Sequence, residues 1–356
     1  MSILANLSFA PAHPTGWLSY SFNLLQSLQS LDIDVLSPIE FSGMKCHQSP
    51  PYITTEFGMK GHLQRLLWTQ FRLPSIYRQL KSNLLFSPIP EAPLFSDCSY
   101  IITVHDLIPL RFPQWFSKTQ RLYCRYYLPA VIQQSEHVIC NSITTAEDLM
   151  NFLKLSENKI TPIPLAYDSK NFRFFDLATQ NYFLYIGRHN PHKNPERIID
   201  AFAALPNCKD YELWLAGPSD SRYTPNLKAQ VAELGITNQV KFLDYVPYDE
   251  LPKIINQAIA LIFPSLWEGF GLPVLEAMAC GTPVITSNLS SLPEVAGDAA
   301  ILINPYNTGE ITAAMQAIAT DSGLRSHLSV QGITRANQFS WEKTGIATTE
   351  VLSRYL

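Results

Sequence analysis

Two carboxylates, Glu268 and Glu276, flank a glycine-rich turn in the second half of the chain, and both can accept hydrogen bonds from hydroxyl groups. A short helix is predicted from Pro273 to Cys280, because proline fits the first position of a helix and Gly281 fits the left-handed residue that ends one. The glycines let a ligand approach the main chain closely, and backbone N–H groups at the start of the helix attract phosphate. The pattern therefore predicts a site for a molecule that carries both hydroxyl groups and phosphate.

A basic loop earlier in this half of the chain supplies positive charge for such a ligand. A strand is predicted to end at Gly187, the loop then presents Arg188 and Lys193, and a helix begins near Pro195. Two cations beside a helix N-terminus can neutralise a diphosphate, arginine through a planar fork of donors and lysine as a point charge. An exposed charged loop without a ligand is the alternative. Together the two segments favour a sugar attached to a nucleoside diphosphate.

Short apolar strands that alternate with helices would position these residues. The strands are predicted at 3–9, 83–87, 100–104 and 137–141 in the first half, and at 182–186, 212–216, 240–243, 260–263, 284–286 and 300–303 in the second. The helices are predicted near 20–31, 120–135, 144–153, 194–204, 227–234, 248–257 and 273–280, with a capping box formed by Thr144 and Glu147. The alternation indicates an α/β protein with parallel, doubly wound sheets, and in such sheets ligands bind at the carboxyl ends of the strands.

The stretch from Pro264 to Pro283 resembles the E-x7-E signature of retaining glycosyltransferases of family 4, the group 1 glycosyltransferases. The resemblance covers nearly the whole chain and is closest to bacterial mannosyltransferases. It implies the GT-B fold, in which two Rossmann-like domains face each other across a cleft. The domains would be residues 1–168 on the acceptor side and 169–335 on the nucleotide-sugar side, with a helix at 336–356 that returns to the first domain.

The resemblance also implies roles for individual residues. Arg188 and Lys193 would hold the donor diphosphate, Glu276 the ribose hydroxyls and Glu268 the hydroxyls of the donor sugar. His105, in the segment Val104–Pro109, would contact that sugar from the first domain, which makes four catalytic residues: His105, Glu268, Arg188 and Lys193. The donor-binding residues would be Gly16, Gly187, Glu268, Gly269, Phe270, Gly271, Leu272 and Glu276. Relatives often carry glycines where this chain has Ser290 and Ser291, so tight main-chain contact there is an open question.

The activity implied by the resemblance is transfer of a hexose, with retention, from a nucleotide sugar to a hydroxyl of a glycan or lipid-linked acceptor. GDP-mannose is the expected donor, and UDP-glucose or UDP-galactose is the main alternative. A nucleotide-sugar 2-epimerase and a non-catalytic sugar-nucleotide-binding subunit are weaker ones. The resemblance implies no cofactor and no metal, because protein cations would stabilise the leaving diphosphate. The pattern Asp32–Asp34, which matches a metal-binding D-x-D, is interpreted as a turn.

The composition of the chain limits which binding partners and which cellular compartment are expected. A net charge of −4 argues against a nucleic-acid-binding protein, which usually carries a basic excess. Six scattered cysteines favour reduced thiols and a cytoplasmic protein, and the first residues read as a strand without the basic start of a signal peptide. The stretch Gly61–Asn83 mixes basic and aromatic residues. It fits either helices packed on the sheet or peripheral contact with the inner face of the membrane.

Overall fold

The computed structural model describes residues 2–10, 16–41, 43–54 and 57–356. The chain forms two compact units. The first runs to Leu165 and is completed by Trp341–Leu356, and the second is Ala166–Ser340.

The strands, in chain order, are β1 (Ile3–Asn6), β2 (Ile33–Ser37), β3 (Lys45–Gln48), β4 (Leu84–Ser87), β5 (Tyr100–Val104), β6 (His137–Cys140), β7 (Ile160–Pro162), β8 (Tyr182–Ile186), β9 (Glu212–Ala216), β10 (Val240–Leu243), β11 (Ala260–Phe263), β12 (Val284–Ser287) and β13 (Ile301–Ile303). The helices are α1 (Gly16–Ser27), α2 (Gly58–Phe71), α3 (Leu73–Gln79), α4 (Ile108–Arg111), α5 (Lys118–Leu122), α6 (Leu128–Gln134), α7 (Ile143–Leu153), α8 (Pro195–Ala203), α9 (Thr224–Glu233), α10 (Leu251–Gln257), α11 (Leu272–Ala279), α12 (Leu292–Ala296), α13 (Thr308–Thr320), α14 (Ser322–Ala336) and α15 (Trp341–Ser353).

Within its described residues, the first unit holds a parallel sheet in the order β3-β2-β1-β4-β5-β6-β7. Its central strands β1, β4 and β5 are buried along their whole length, because short apolar runs in a parallel sheet are covered by helices on both faces. The last helix, α15, packs in this unit, where Thr344 Oγ1 donates a hydrogen bond of 2.8 Å to the carbonyl of Pro164. Tyr355, just beyond α15, lies 3.0 Å from His137 Nδ1 of β6. The end of the chain is therefore part of the first unit.

The second unit holds a parallel sheet in the order β10-β9-β8-β11-β12-β13. The strand order reverses between β8 and β11, so the loops that follow these two strands diverge from a common crevice, which is where ligands bind in open α/β sheets. Two Rossmann-like parallel sheets confirm the predicted fold class.

The strand predictions for the second half agree with the structure to within a residue or two at each end. Three strands of the first half are absent from the predicted ranges: β2, which contains Asp34, and the short strands β3 and β7, which lie at the two edges of the sheet and carry little apolar pattern. The region 120–135 is not one regular helix, since a wider helical turn, Tyr123–Tyr127, separates α5 from α6.

Two local interpretations are wrong. Asp34 is not part of a turn but lies in β2, where its Oδ1 pairs with Lys45 Nζ of β3 at 2.9 Å. Helix α7 is capped by Ser142, whose hydroxyl accepts a hydrogen bond from the Thr145 N–H at 3.1 Å. Thr144 therefore lies inside the helix and cannot be the N-cap of a capping box.

Candidate functional site

The pairing of β8 with β11 brings two loops of the second unit together: the basic loop that contains Lys193 and the loop that contains Glu268. The loop after β8 is joined to the loop after β11 by a hydrogen bond of 2.7 Å from the Leu266 N–H to the carbonyl of His192. At this point Lys193 Nζ lies 2.6 Å from Glu268 Oε1 and 2.8 Å from Oε2. The two side chains are only 19% and 9% exposed. Two residues that the sequence singled out separately therefore form one ion pair in the crevice of the sheet.

The geometry of this pair leaves the ammonium group able to bind an anion. A lysine ammonium has three hydrogens, and two of them are directed to the Glu268 oxygens, so one remains for a further acceptor. Removing one member of a buried ion pair usually costs about 3–5 kcal/mol, because the other charge stays buried without compensation. Lys193 and Glu268 therefore hold each other in place as well as facing the crevice.

Two serines, Ser290 and Ser291, hold the loop that contains Glu268 in place. Ser290 has a left-handed backbone with φ of 55°, and its Oγ accepts a hydrogen bond of 3.0 Å from the Glu268 N–H. Ser291 is fully buried, and its hydroxyl lies 3.0 Å from the carbonyl of Glu268 and 2.9 Å from that of Phe270. The two serines thus fasten the main chain on both sides of Gly269, and Ser290 does so in a backbone conformation that is strained for a residue other than glycine.

The turn ends at Gly271, which is the N-cap of α11 with φ of 106°. A Cβ atom there would lie 2.6 Å from Leu292 Cδ2, so both the backbone conformation and the space require glycine. The helix then begins at Leu272, and Phe270 is buried against the ring of Phe339. The first backbone N–H groups of α11 have no partner within the helix, which makes this end suitable for an anionic group.

Glu276 lies one turn into α11 and is partly buried. Burial, followed by the charge of Asp168, raises the pKa of its carboxyl to about 7. Partial burial, followed by the charges of Glu276 and Asp168, raises the pKa of Tyr248, which places all three side chains in one neighbourhood. Asp168 and Tyr248 were not predicted, because both come from parts of the chain remote in sequence from α11. Near neutral pH, Glu276 is poised between its neutral and ionised forms.

Nucleotide affinity is expected to depend on pH through Glu276. If ribose hydroxyls donate to its ionised form, a pKa of about 7 predicts that affinity falls about eightfold between pH 7.5 and pH 6. Glu276→Gln should remove this dependence and weaken binding at pH 7.5, measured by calorimetry with GDP and UDP. Asp168→Asn is the matched control, because it should lower the pKa of Glu276 and move the same curve to lower pH.

Whether the Glu276→Gln variant is correctly folded can be checked from the direction in which the substitution changes the melting temperature. A carboxyl whose pKa is raised in the folded state opposes folding once it ionises, so its contribution to stability is lost as pH rises through about 7. The variant should therefore melt at a higher temperature than the wild type at pH 8. An unchanged pH slope of nucleotide affinity in Glu276→Gln would contradict the proposed role of this carboxylate.

Arg188 follows Gly187 at the end of β8, and its side chain is exposed. Its carbonyl accepts a hydrogen bond of 2.6 Å from the Tyr185 hydroxyl, which fixes the main chain of the loop. Hydrogen bonds and charge from Arg222, with a smaller contribution from Arg188, lower the pKa of Asp220. Arg188 therefore lies beside the same loop as Lys193 but towards the end of β9, and the structure does not place it on the Glu268 carboxylate.

In the first unit, His105 follows β5 and is held by the loop after β4. Its Nε2 lies 2.9 Å from the carbonyl of Pro88, and because a carbonyl can only accept, Nε2 carries the hydrogen. Burial lowers the pKa of His105 to about 4, so the ring is neutral at physiological pH and Nδ1 is an acceptor. The ring of Tyr20 packs edge-on against it, with centroids 4.8 Å apart, and the Tyr20 hydroxyl is bound to Thr103 Oγ1 at 3.1 Å.

These contacts assign local roles to two residues near His105. Tyr20 is buried and supports the His105 ring. Asp106 Oδ1 accepts a hydrogen bond of 3.0 Å from the Ile108 N–H and so caps the next turn. Gly16 is the first residue of α1. Residues 11–15, which precede Gly16, lie outside the described residues.

Two further properties concern metals and membranes. Over the described ranges, no group of three or more His, Cys, Asp or Glu residues is arranged to hold a metal ion. Of the helices that the structure describes, none combines the length and the apolar character needed to cross a bilayer.

Comparison with known proteins places this geometry in a family. Residues 168–335 match the profile of the glycosyl transferases group 1, and residues 19–171 match that of glycosyltransferase family 4. The chain is 30% identical to O-antigen chain mannosyltransferase B of Escherichia coli over 269 residues, which cover 72% of this chain and 69% of that protein. It is 28% identical to O-antigen chain mannosyltransferase RfbU of Salmonella typhimurium over 324 residues, 85% of this chain and 87% of that protein. Among solved structures, sucrose-phosphate synthase from Thermosynechococcus elongatus superposes with a TM-score of 0.80 at 21% identity, covering 99% of this chain and 98% of that chain.

Proposed function

The chain belongs to the group 1 glycosyltransferases of family 4 and has their GT-B fold, and on that basis we propose that it transfers mannose from GDP-mannose with retention of configuration. The sugar class is supported by the names of its relatives, which are mannosyltransferases that act on O-antigen chains. The acceptor would be a hydroxyl of a glycan or of a lipid-linked precursor in polysaccharide assembly.

The observation that carries the proposal is the ion pair of Lys193 and Glu268 in the crevice of the second sheet. One face of this pair offers an N–H to a phosphate oxygen, and the other offers carboxylate oxygens to sugar hydroxyls. The start of α11 adds backbone donors beside it. A sugar bonded to a diphosphate presents both kinds of group next to each other, and few other metabolites do.

The proposed mechanism is based on where negative charge develops during the reaction. As the bond between C1 of the sugar and the β-phosphate oxygen breaks, negative charge grows on the diphosphate, and Lys193, Arg188 and the helix N-terminus would stabilise it. The acceptor oxygen bonds to C1 on the same face of the sugar, and its proton passes to the departing phosphate oxygen. No protein nucleophile is assigned. Because side-chain cations provide the stabilisation, we propose that the reaction needs neither a metal ion nor another cofactor.

His105 and Glu276 would complete the binding of the donor. His105 Nδ1 can accept a hydrogen bond from a hydroxyl of the transferred sugar, and the neutral ring cannot protonate the leaving group. Glu276 would hold the ribose. Two kinds of contact to the donor are therefore expected. Glu276 would bind the donor throughout the reaction, whereas other groups would make contacts that matter most as the bond to C1 breaks.

Thermal stabilisation by GDP and by UDP, without added metal, tests the donor. A ligand at about 100 times its dissociation constant adds roughly 2.7 kcal/mol to the stability of the folded protein, which raises the melting temperature measurably. We expect selective stabilisation by GDP, and subsequent transfer from GDP-mannose with the product's anomeric configuration read by NMR. Selective stabilisation by UDP would move the donor to UDP-glucose or UDP-galactose. A lack of response to both nucleotides would contradict the nucleotide site.

We further propose a cytoplasmic location with peripheral contact at an anionic membrane surface through α2. This helix has an inward side, where Arg65 forms a buried pair with Glu91 at 2.7 Å. Its outward side exposes a large apolar residue at every fourth position: Leu63 at 57%, Leu67 at 53% and Phe71 at 72%. Exposed Lys60 and Arg72 flank this stripe and complement anionic lipid.

Co-sedimentation with vesicles tests this contact. Binding to vesicles that contain phosphatidylglycerol, but not to pure phosphatidylcholine, is expected for the wild type. Leu67→Asp should abolish it, because the charge would have to enter the apolar boundary of the bilayer. Val330→Asp, at a residue of α14 with 62% exposure, is the matched control and should leave binding unchanged. Equal binding by both variants would contradict the assignment to α2.

A further inference from the structure

His189 carries a buried hydrogen-bonding atom that the protein itself does not satisfy. The residue is 1% exposed, and its Nδ1 lies 2.8 Å from Thr224 Oγ1. That hydroxyl oxygen already accepts a hydrogen bond of 2.8 Å from the Asp220 N–H, so its own hydrogen is available for Nδ1. With the hydroxyl donating to Nδ1, the ring hydrogen is assigned to Nε2, which is buried without a hydrogen-bond partner among the described residues. His189 therefore presents an unused N–H donor.

The position of this donor indicates a ligand. His189 lies between Arg188 and Lys193 in the loop at the carboxyl end of β8, the edge of the sheet at which ligands bind. Most buried polar groups in proteins are paired, so an unpaired buried donor at this edge calls for an explanation, and a bound molecule would supply one. The neighbouring strand ends approach each other closely here, since a Cβ at Gly217, after β9, would lie 2.0 Å from the carbonyl oxygen of Gly187.

The charges around His189 distinguish between the parts of a nucleotide. The ring packs edge-on against Phe242 of β10, with centroids 5.8 Å apart. The charged groups that act on it are the carboxylates of Asp244 and Asp220 and, more weakly, the ammonium of Lys228. Asp220 is paired with Arg222 at 2.7 Å, so it is chiefly the carboxylate of Asp244 that disfavours a dianionic diphosphate beside the ring while permitting a neutral acceptor. The diphosphate cation Lys193 is engaged instead with Glu268, on the side of β11.

We propose that His189 Nε2–H donates a hydrogen bond to a carbonyl oxygen of the donor's nucleobase, O6 of guanine or O4 of uracil, and so selects bases with a keto oxygen at that position over those with an amino group there. Thr224 acts as a positioning residue, because its hydroxyl keeps the ring hydrogen on Nε2. This proposal rests on the proposed function, since it assumes that a nucleoside diphosphate binds at this edge of the second sheet.

The test compares nucleotides that differ at the recognised atom. GDP carries O6 where ADP carries an amino group, and UDP carries O4 where CDP carries one. Calorimetry on the whole protein should show that the wild type prefers the keto member of the tighter-binding pair about tenfold or more, because the amino base would leave the buried donor unpaired. His189→Phe retains a ring against Phe242 and should reduce this preference to about twofold or less. Thr224→Val should reduce it partly, while the affinity for inorganic pyrophosphate stays the same in all three proteins.

Each outcome has a distinct meaning. A reduced preference with unchanged pyrophosphate affinity supports the proposal. A His189→Phe variant that binds every probe like the wild type would show that His189 only packs the loop and would overturn it. A loss of pyrophosphate affinity with an intact keto preference would assign His189 to the diphosphate and also overturn it. If the folded wild-type protein binds none of the four nucleotides, the proposed function fails, and this inference fails with it.

Discussion

Replacing Lys193 by methionine is expected to lower kcat by about 10²- to 10³-fold, the size of effect found when one donor to a developing oxyanion is removed. Lys193 is the cation that the structure places in the crevice, against Glu268, with one ammonium hydrogen left for a phosphate oxygen. Charge on that oxygen grows only as the bond to the sugar breaks, so the loss should be larger in kcat than in the affinity for GDP. Turnover is measured as GDP released from GDP-mannose.

The control for Lys193→Met must separate chemistry from folding. The single variant leaves the Glu268 carboxylate buried without its partner, which is strongly destabilising. Combining Lys193→Met with Glu268→Gln removes both charges and should restore much of the melting temperature while leaving turnover low. Retention of more than a tenth of the wild-type kcat by a folded Lys193→Met protein would exclude the proposed role of this lysine.

Replacing His105 by alanine is expected to lower kcat by about 10- to 100-fold while leaving the affinity for GDP unchanged, because a hydrogen bond and the position of the sugar are lost together. The ring is neutral, with a pKa of about 4, and only Nδ1 is available to the substrate. Turnover between pH 5 and pH 8 should therefore show no inflection from His105. Any inflection near pH 7 should instead disappear in Glu276→Gln.

Two amide variants test which ring atom of His105 matters. Asparagine can place an acceptor near the position of Nδ1, whereas glutamine can place an N–H near that of Nε2 and keep the bond to the Pro88 carbonyl. We expect His105→Asn to be more active than His105→Gln if Nδ1 contacts the sugar. The reverse order would mean that His105 acts only by holding the loop after β4, and wild-type turnover in His105→Ala would remove it from the site altogether.

The sequence predicts the fold well where strands are central and apolar. β5, β8 and β11, which lie inside their sheets, have the bounds that their apolar runs indicate, because a strand buried on both faces needs an uninterrupted apolar segment. The sequence pattern does not indicate the edge strands β3 and β7. One side of an edge strand has no neighbouring strand and therefore tolerates residues such as Lys45 and Pro162. Asp34 was misread for a related reason: its charge is balanced by Lys45, which the local sequence does not show.

For the candidate site, the residue types were predictable and their partners were not. The contact of Lys193 with Glu268 depends on β8 lying next to β11, and alternation of strands and helices does not specify that order. The raised pKa of Glu276 depends on Asp168, and the tautomer of His105 on the carbonyl of Pro88. All of these are contacts between segments remote in sequence. A sequence motif can identify the reacting groups, but their protonation states depend on contacts that form only in the tertiary structure.

The return of α15 to the first unit has a consequence for the order of events during synthesis. All residues of the second unit, Ala166–Ser340, leave the ribosome before α15 does, so this unit can fold while the first still lacks its last helix. The first unit must wait for Trp341–Leu356, and during that time the surface of α1 that receives α15 is uncovered. A chaperone that binds nascent chains would therefore meet the first unit as the late-folding part, although it is the first to be translated.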